Sequence, residues 1–219
     1  MSLMASIQQR KIEEVVHFTT NHGLVGTFFK KHLLSRKILP EDHYLEHVLH
    51  VNSAMRPEAS GCFDKSEDWL DYVNLSISEI NANYFKFSQS WHNGQDIWWA
   101  ILAFDPCIIT HKGVYFATTN NAYEFCERRK GIDGYNNLFQ PSIKRKSGWS
   151  ISRVNRANYL PTCQQAEVLY PRQVSLEYLK TVYVRDGDHQ DLVKSWLKQF
   201  DIQNVNVIIN EQKFIGMPN

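Results

Sequence analysis

The stretch that most constrains this 219-residue chain is Ile97-Trp98-Trp99-Ala100-Ile101-Leu102-Ala103-Phe104, closed by Asp105-Pro106. An apolar run of strand length with no polar face reads as a strand buried in a core, and the proline marks its end. Other segments carry weaker strand patterns. Val73, Leu75 and Ile77 alternate within Asp71–Ile77, and Gln164–Tyr170 alternates up to Pro171. Val15–Thr19, Val114–Ala117, Thr181–Val184 and Val205–Ile209 are short and rich in β-formers. Helical spacing links Leu24, Val25, Phe28, Phe29 and Leu33, with Asn21 placed to cap them. A second amphipathic helix runs through Leu192, Val193, Trp196, Leu197 and Phe200, after a turn at Asp186-Gly187. A third is predicted over Ala122–Arg129, capped by Asn120 or Asn121. The pattern is mixed α/β (α+β), connected too irregularly for a doubly wound parallel sheet.

The length suits one domain over residues 1–219, able to bury about 70% of its unfolded surface. Met1-Ser2-Leu3 ahead of Met4 reads as a vector-derived leader. No run of about 18 apolar residues predicts a membrane span, and no basic-then-apolar signal opens the chain, so a cytoplasmic protein is expected. The cysteines at 62, 107, 126 and 163 have neither zinc-knuckle nor disulfide-scaffold spacing and read as reduced thiols. There is no glycine-rich phosphate loop and no nucleophile elbow. His43, Glu46, His47 and His50 have a spacing compatible with a metal site, but a polar helix face is the preferred reading and no metal is expected.

The charge is nearly balanced, with 24 Lys+Arg against 23 Asp+Glu. The balance hides a division. Residues 41–81 hold nine acidic side chains and only Arg56 and Lys65 as bases, net −7. Residues 128–158 hold eight bases and Asp133 alone as an acid, net +7. Cations neutralise phosphates and an interleaved ring stacks a base, so this segment is a candidate surface for single-stranded nucleic acid. Its candidate binding residues are Lys144, Arg145, Lys146, Trp149, Arg153 and Arg156. The bland alternative is a solvated basic loop. Just beyond it, strand alternation is expected to place Gln165, Glu167 and Leu169 on one face, and a carboxylate among apolar neighbours is costly unless paired or functional.

Taken in order, several pieces resemble DarT, the bacterial toxins that ADP-ribosylate DNA bases using NAD. They are His17-Phe18-Thr19, Arg56 ahead of Val73-Asn74-Leu75-Ser76-Ile77, Asn83-Tyr84-Phe85, Trp99-Ala100-Ile101-Leu102, Val114-Tyr115-Phe116-Ala117 followed by Asn121-Ala122, and Gln165-Ala166-Glu167-Val168-Leu169-Tyr170-Pro171. The resemblance spans residues 15–185. It implies an ADP-ribosyltransferase-like fold with a central split β-sheet decorated by helices, and NAD as co-substrate. It makes Glu167 catalytic together with Arg56, and Gln165 the residue that orients the target. It assigns His17, Phe18, Thr19 and Arg56 to the NAD site. An acidic insert, Gly61–Asp71, separates Arg56 from the strand that follows. The implied role is a toxin or phage-defence effector acting on single-stranded DNA, with a macrodomain-type antitoxin as partner and a monomeric state. The target base stays open. So do RNA or a protein side chain as acceptor, and a non-catalytic nucleic-acid-binding domain of the same fold.

Overall fold

The apolar run becomes β4 (Trp99–Phe104), whose six residues are all buried, and the rest of the fold is arranged around it. In the computed structural model the described residues are 2–38, 69–91 and 96–217. Arg56 and the His43–His50 segment lie outside them. Among the described residues the order is α1 (Leu3–Gln9), β1 (Val15–Thr20), α2 (Asn21–Lys30), β2 (His32–Leu34), β3 (Tyr72–Ile77), α3 (Ala82–Trp91), β4 and β5 (Tyr115–Ala117). There follow β6 (Arg128–Lys130), α4 (Gly131–Asn137), β7 (Ser142–Lys146), β8 (Trp149–Ser152), β9 (Glu167–Pro171), β10 (Gln173–Ser175), β11 (Leu179–Val184), α5 (Gly187–Gln199) and β12 (Asn206–Ile209).

Eight strands form one sheet in the order β12-β11-β4-β1-β3-β9-β5-β6. Among the described residues only β11 and β12 pair in parallel, joined by α5, and every other neighbour pair of this sheet is antiparallel. The join between β1 and β3 is the weak seam. It holds just Val15↔Ile77 and Val16↔Ser76, whereas β1 pairs with β4 from Val15 to Thr20. The sheet therefore splits after Val16, and His17 stands at the opening.

Strand alternation distributes the core. Val15, Leu75, Leu102 and Val168 face one layer, packed with Ile7 of α1, Phe28 of α2, Tyr135 of α4 and Val193 of α5. The opposite face of β1 and β4 is covered by Phe85 of α3 and by Phe214. On that same side of β3, β9 and β5, Leu169 and Ala117 lie beneath Trp69, Tyr72, Tyr115 and Tyr123. β4 has no polar residue because both of its faces are roofed.

Several sequence expectations shift. α2 is capped by Thr20, whose Oγ1 accepts from the Gly23 N–H at 3.2 Å, while Asn21 is the first helical residue and its amide donates to the Asp96 carbonyl at 2.8 Å. The helix predicted over Ala122–Arg129 is absent: Asn120 Oδ1 accepts from Ala122 N–H at 2.9 Å in a tight turn, and the chain then extends into β6. A short polar side chain that satisfies the backbone two residues on competes with helix initiation there. Gln164 to Ala166 precede β9 rather than belonging to it. Ser2 caps α1 through a 3.2 Å bond from Ala5 N–H, and Leu3 packs against the core, so these residues take part in the fold.

Candidate active site

The split in the sheet and the start of β9 meet at Asn74, an exposed residue of β3. His17 Nδ1–H donates to the Asn74 carbonyl at 2.8 Å. The Asn74 side-chain amide donates to Glu167 Oε2 at 3.1 Å. One residue thus holds both elements, its backbone on one side of the seam and its side chain on the other. The carbonyl also sets the imidazole tautomer: with the proton on Nδ1, Nε2 of the neutral ring is an acceptor.

Glu167 opens β9, half-buried, and pairs across the ladder with Ala117. The same Oε2 accepts a second bond, from the Asn121 backbone N–H at 3.0 Å. Arg128 fixes Asn121 in turn, its Nε 2.5 Å from Asn121 Oδ1 and its Nη2 on the Asn121 carbonyl. Hydrogen bonds to an ionised carboxylate favour its charged form and fix its rotamer. The arrangement is a held anion at the end of a strand, suited to stabilising developing positive charge or accepting a proton. Nearby Cys126 is no competing nucleophile. Burial, reinforced by the Glu167 charge and opposed by its contact to Thr119 and by Arg128, pushes its thiol up to about 11.

The expected residues divide. His17 and Thr19 share a face of β1, and Thr19 Oγ1 sits 2.2 Å from where a Cβ on residue 23 would fall, so a larger residue there would displace the Thr19 hydroxyl. Phe18 points the other way and joins Phe85, at a ring distance of 5.1 Å, and Trp99, at 5.7 Å. Strand alternation thus sets Phe18 on the side of the sheet that carries Asn74 and Glu167, while His17 reaches the seam through the Asn74 backbone carbonyl. Gln165 does not share the Glu167 face. It is buried in the turn before β9, and its Oε1 accepts from Arg145 Nη2 at 2.6 Å.

The basic segment also divides. β7 and β8 form a hairpin in which Lys144, Lys146 and Trp149 are exposed, Trp149 by 47%. Arg145, on the opposite face of β7, is 5% exposed and lies beneath the Trp149 ring at 4.5 Å. Arg153 donates to the Leu160 and Ala157 carbonyls at 2.8 and 3.0 Å and pins the loop before β9. Arg156 is ion-paired with buried Glu79 and donates to the Pro161 carbonyl at 2.8 Å. Arg145, Arg153 and Arg156 are therefore structural ties rather than phosphate-facing cations, since guanidiniums with several directed donors find carbonyl and carboxylate partners within the protein.

In the sequence Asn74 and Asn121 stand only inside longer motifs and Arg128 only among the bases of 128–158, none of them with a site role. Asn74 had a signal: asparagine is a poor strand former, and it interrupts Val73-Asn74-Leu75 on the side away from the core. Among the described residues no group of three or more His, Cys, Asp or Glu gathers as a metal site.

Residues 16–215 match the family described as DarT, ssDNA thymidine ADP-ribosyltransferase. No curated protein matches the sequence. Among solved structures, the chain superposes on Thermus sp. 2.9 DarT in complex with carba-NAD+ with a TM-score of 0.62 at 13% identity, over 92% of this chain and 97% of that one. The same protein in complex with ADP-ribosylated ssDNA gives 0.60 at 14% identity, over 92% and 96%. Thermosipho africanus DarTG in complex with ADP-ribose gives 0.57 at 14% identity, over 94% of this chain but 52% of that one, so this chain spans about half its length. At such identities the superpositions establish a shared fold.

Proposed function

The chain belongs to the DarT family of ssDNA thymidine ADP-ribosyltransferases, and on that premise we propose that it transfers ADP-ribose from NAD to a thymine base of single-stranded DNA. The observation that carries the reading is the Glu167 carboxylate held at the sheet seam by Asn74 and Asn121, with His17 bound to the same Asn74. The residues present fit NAD as the substrate. His17 and Thr19 offer hydrogen-bonding groups on one strand face at the opening, and Glu167 supplies the anion.

The bond that breaks joins ribose C1′ to the nicotinamide nitrogen, and its electron pair leaves with nicotinamide. Positive charge develops on the ribose, where a fixed carboxylate stabilises it without reorganisation. A ring nitrogen of the base forms the new bond to C1′ and gives up its proton, for which Glu167 is the acceptor. NAD and a base N–H thus yield ADP-ribosylated base, nicotinamide and a proton. A single-stranded acceptor is preferred because its base is already unstacked. Lys144, Lys146 and Trp149 of the exposed hairpin supply cations and a stacking ring on the approach to β9, and Arg56 remains the proposed partner of the transferring centre.

The toxin role, a macrodomain-type antitoxin and a monomeric, cytoplasmic state complete the proposal. Among the described residues no helix is long and apolar enough to cross a membrane.

Incubation with labelled NAD and single-stranded oligonucleotides of each base tests the reading. Label on thymidine-containing DNA, abolished by Glu167→Ala, is expected. Transfer that survives Glu167→Ala, or label found only on RNA or on protein, overturns it. DNA binding without transfer would favour a non-catalytic domain.

A further inference from the structure

Folding separates the basic segment into four arginines tied within the protein and four exposed cations, and one of the exposed ones, Lys130, stands on the Glu167 face one row away. Across the sheet, Glu167 of β9 pairs with Ala117 of β5, and Ala117 with Arg128 of β6. One row further, Leu169 pairs with Tyr115 and Tyr115 with Lys130. These residues share the Glu167 face. Arg129, between the two bases, faces the other side and pairs with exposed Glu127 at 3.5 Å. β6 lies two strands from β9, on the order of 10 Å in the hydrogen-bonding direction.

The Lys130 ammonium sits over the Tyr115 ring, 4.4 Å from its centroid. Trp69 stands edge-on to Tyr115 at 5.1 Å, and both rings are half-buried. An exposed cation over a half-exposed ring, with a second half-exposed ring beside it two strands from the reacting carboxylate, matches the alternating phosphate and base of a single strand. We propose that the β6 edge is a track for the acceptor DNA, with Lys130 neutralising a phosphate next to the modified nucleotide and Tyr115 with Trp69 offering a stacking surface to a flanking base. This rests on the transferase reading above and adds to it the path of the strand.

Charged edge strands also serve to block edge-to-edge pairing. Either sign of charge serves that end, on either face of the strand. The track, by contrast, requires positive charge on the Glu167 face alone, so two adjacent charge reversals separate the explanations. Lys130→Glu and Arg129→Glu make the same change in net charge at exposed neighbouring positions.

Transfer to a thymidine-containing single strand is measured for both variants at about 50 and 200 mM salt, with NAD affinity by calorimetry. Lys130→Glu is expected to raise the KM for DNA about tenfold and to lower the log–log salt slope by about one, at unchanged NAD affinity. Arg129→Glu is expected to stay within about twofold of wild type, as for a surface change away from the interface. Equal KM values and salt slopes for the two variants overturn the track. Wild-type protein that modifies no DNA overturns the functional reading itself, an outcome distinct from normal transfer by two indistinguishable variants.

Discussion

Replacing Asn74 by Ala tests the organisation of the site most directly. The side-chain amide donates to Glu167 Oε2 at 3.1 Å, whereas the bond to His17 uses the Asn74 backbone carbonyl. The substitution therefore removes one donor to the carboxylate and leaves the histidine anchored. A hydrogen bond to a charged group contributes about 1.5–3 kcal/mol. If that energy is realised as charge develops on the ribose, kcat falls roughly 10- to 150-fold. NAD affinity should change little. Asn74 is exposed, so the cost to folding should stay within about 1 kcal/mol. The assay is single-turnover transfer from labelled NAD to a thymidine oligonucleotide, beside thermal denaturation. Asn74→Asp is the companion: it keeps the shape, but it sets a second carboxylate against Glu167. One of two such carboxylates holds a proton, so the loss should be at least as large and the acid limb of the rate profile should move to higher pH. Wild-type kcat in Asn74→Ala, or a loss confined to NAD affinity, would refute the argument that Asn74 acts by holding the carboxylate.

Arg128→Leu removes both bonds to Asn121 and loosens the loop whose N–H meets Glu167; kcat is expected to fall about tenfold at a KM for NAD within about twofold, measured by the same transfer assay. Arg156→Ala leaves Glu79 buried without its guanidinium, so stability should drop by about 3–5 kcal/mol and the KM for DNA of the folded protein should not change, as checked by denaturant unfolding and by transfer below the melting range. Gln165→Ala strips the acceptor from buried Arg145; about 1–3 kcal/mol of stability is expected to be lost, and the Arg145→Leu, Gln165→Leu double variant should recover part of it in denaturant unfolding. Asp105 caps the turn after β4, and its carboxyl titrates below the ordinary value: burial works to raise it, but the Cys107 N–H at 2.8 Å and Lys180 outweigh that. A depressed folded value stabilises above the unfolded pKa and loses effect as pH falls through the folded one. Asp105→Ala should therefore cost about 0.5–2 kcal/mol at pH 7, a deficit that shrinks below about pH 4 in acid titrations of stability.

Much of the strand framework was legible from local pattern. β3 and β4 appear with the expected faces, because a half-buried strand alternates and a strand covered on both sides does not. The hairpin of β7 and β8 was less visible, since its exposed faces are polar. In the sequence Lys144, Arg145 and Lys146 form one basic cluster, and only the β7 strand sets Arg145 apart on its buried face.

The sequence by itself determined β1, β3, β4, β5, β9, β11 and β12, the apolar faces of β3 and β4 and the presence of Glu167 on the late strand, because side-chain period and hydrophobicity are local properties. It also revealed the opposed charge segments. Which of those charges face solvent was a tertiary decision. Arg153 and Arg156 found carbonyls and Glu79 only once the loop before β9 had folded back, and the same folding buried Gln165 as the acceptor of Arg145. The site is tertiary as well. His17 and Glu167 lie 150 residues apart in sequence and meet through Asn74 because the β1–β3 ladder stops after two pairs and leaves an opening that no local pattern specifies.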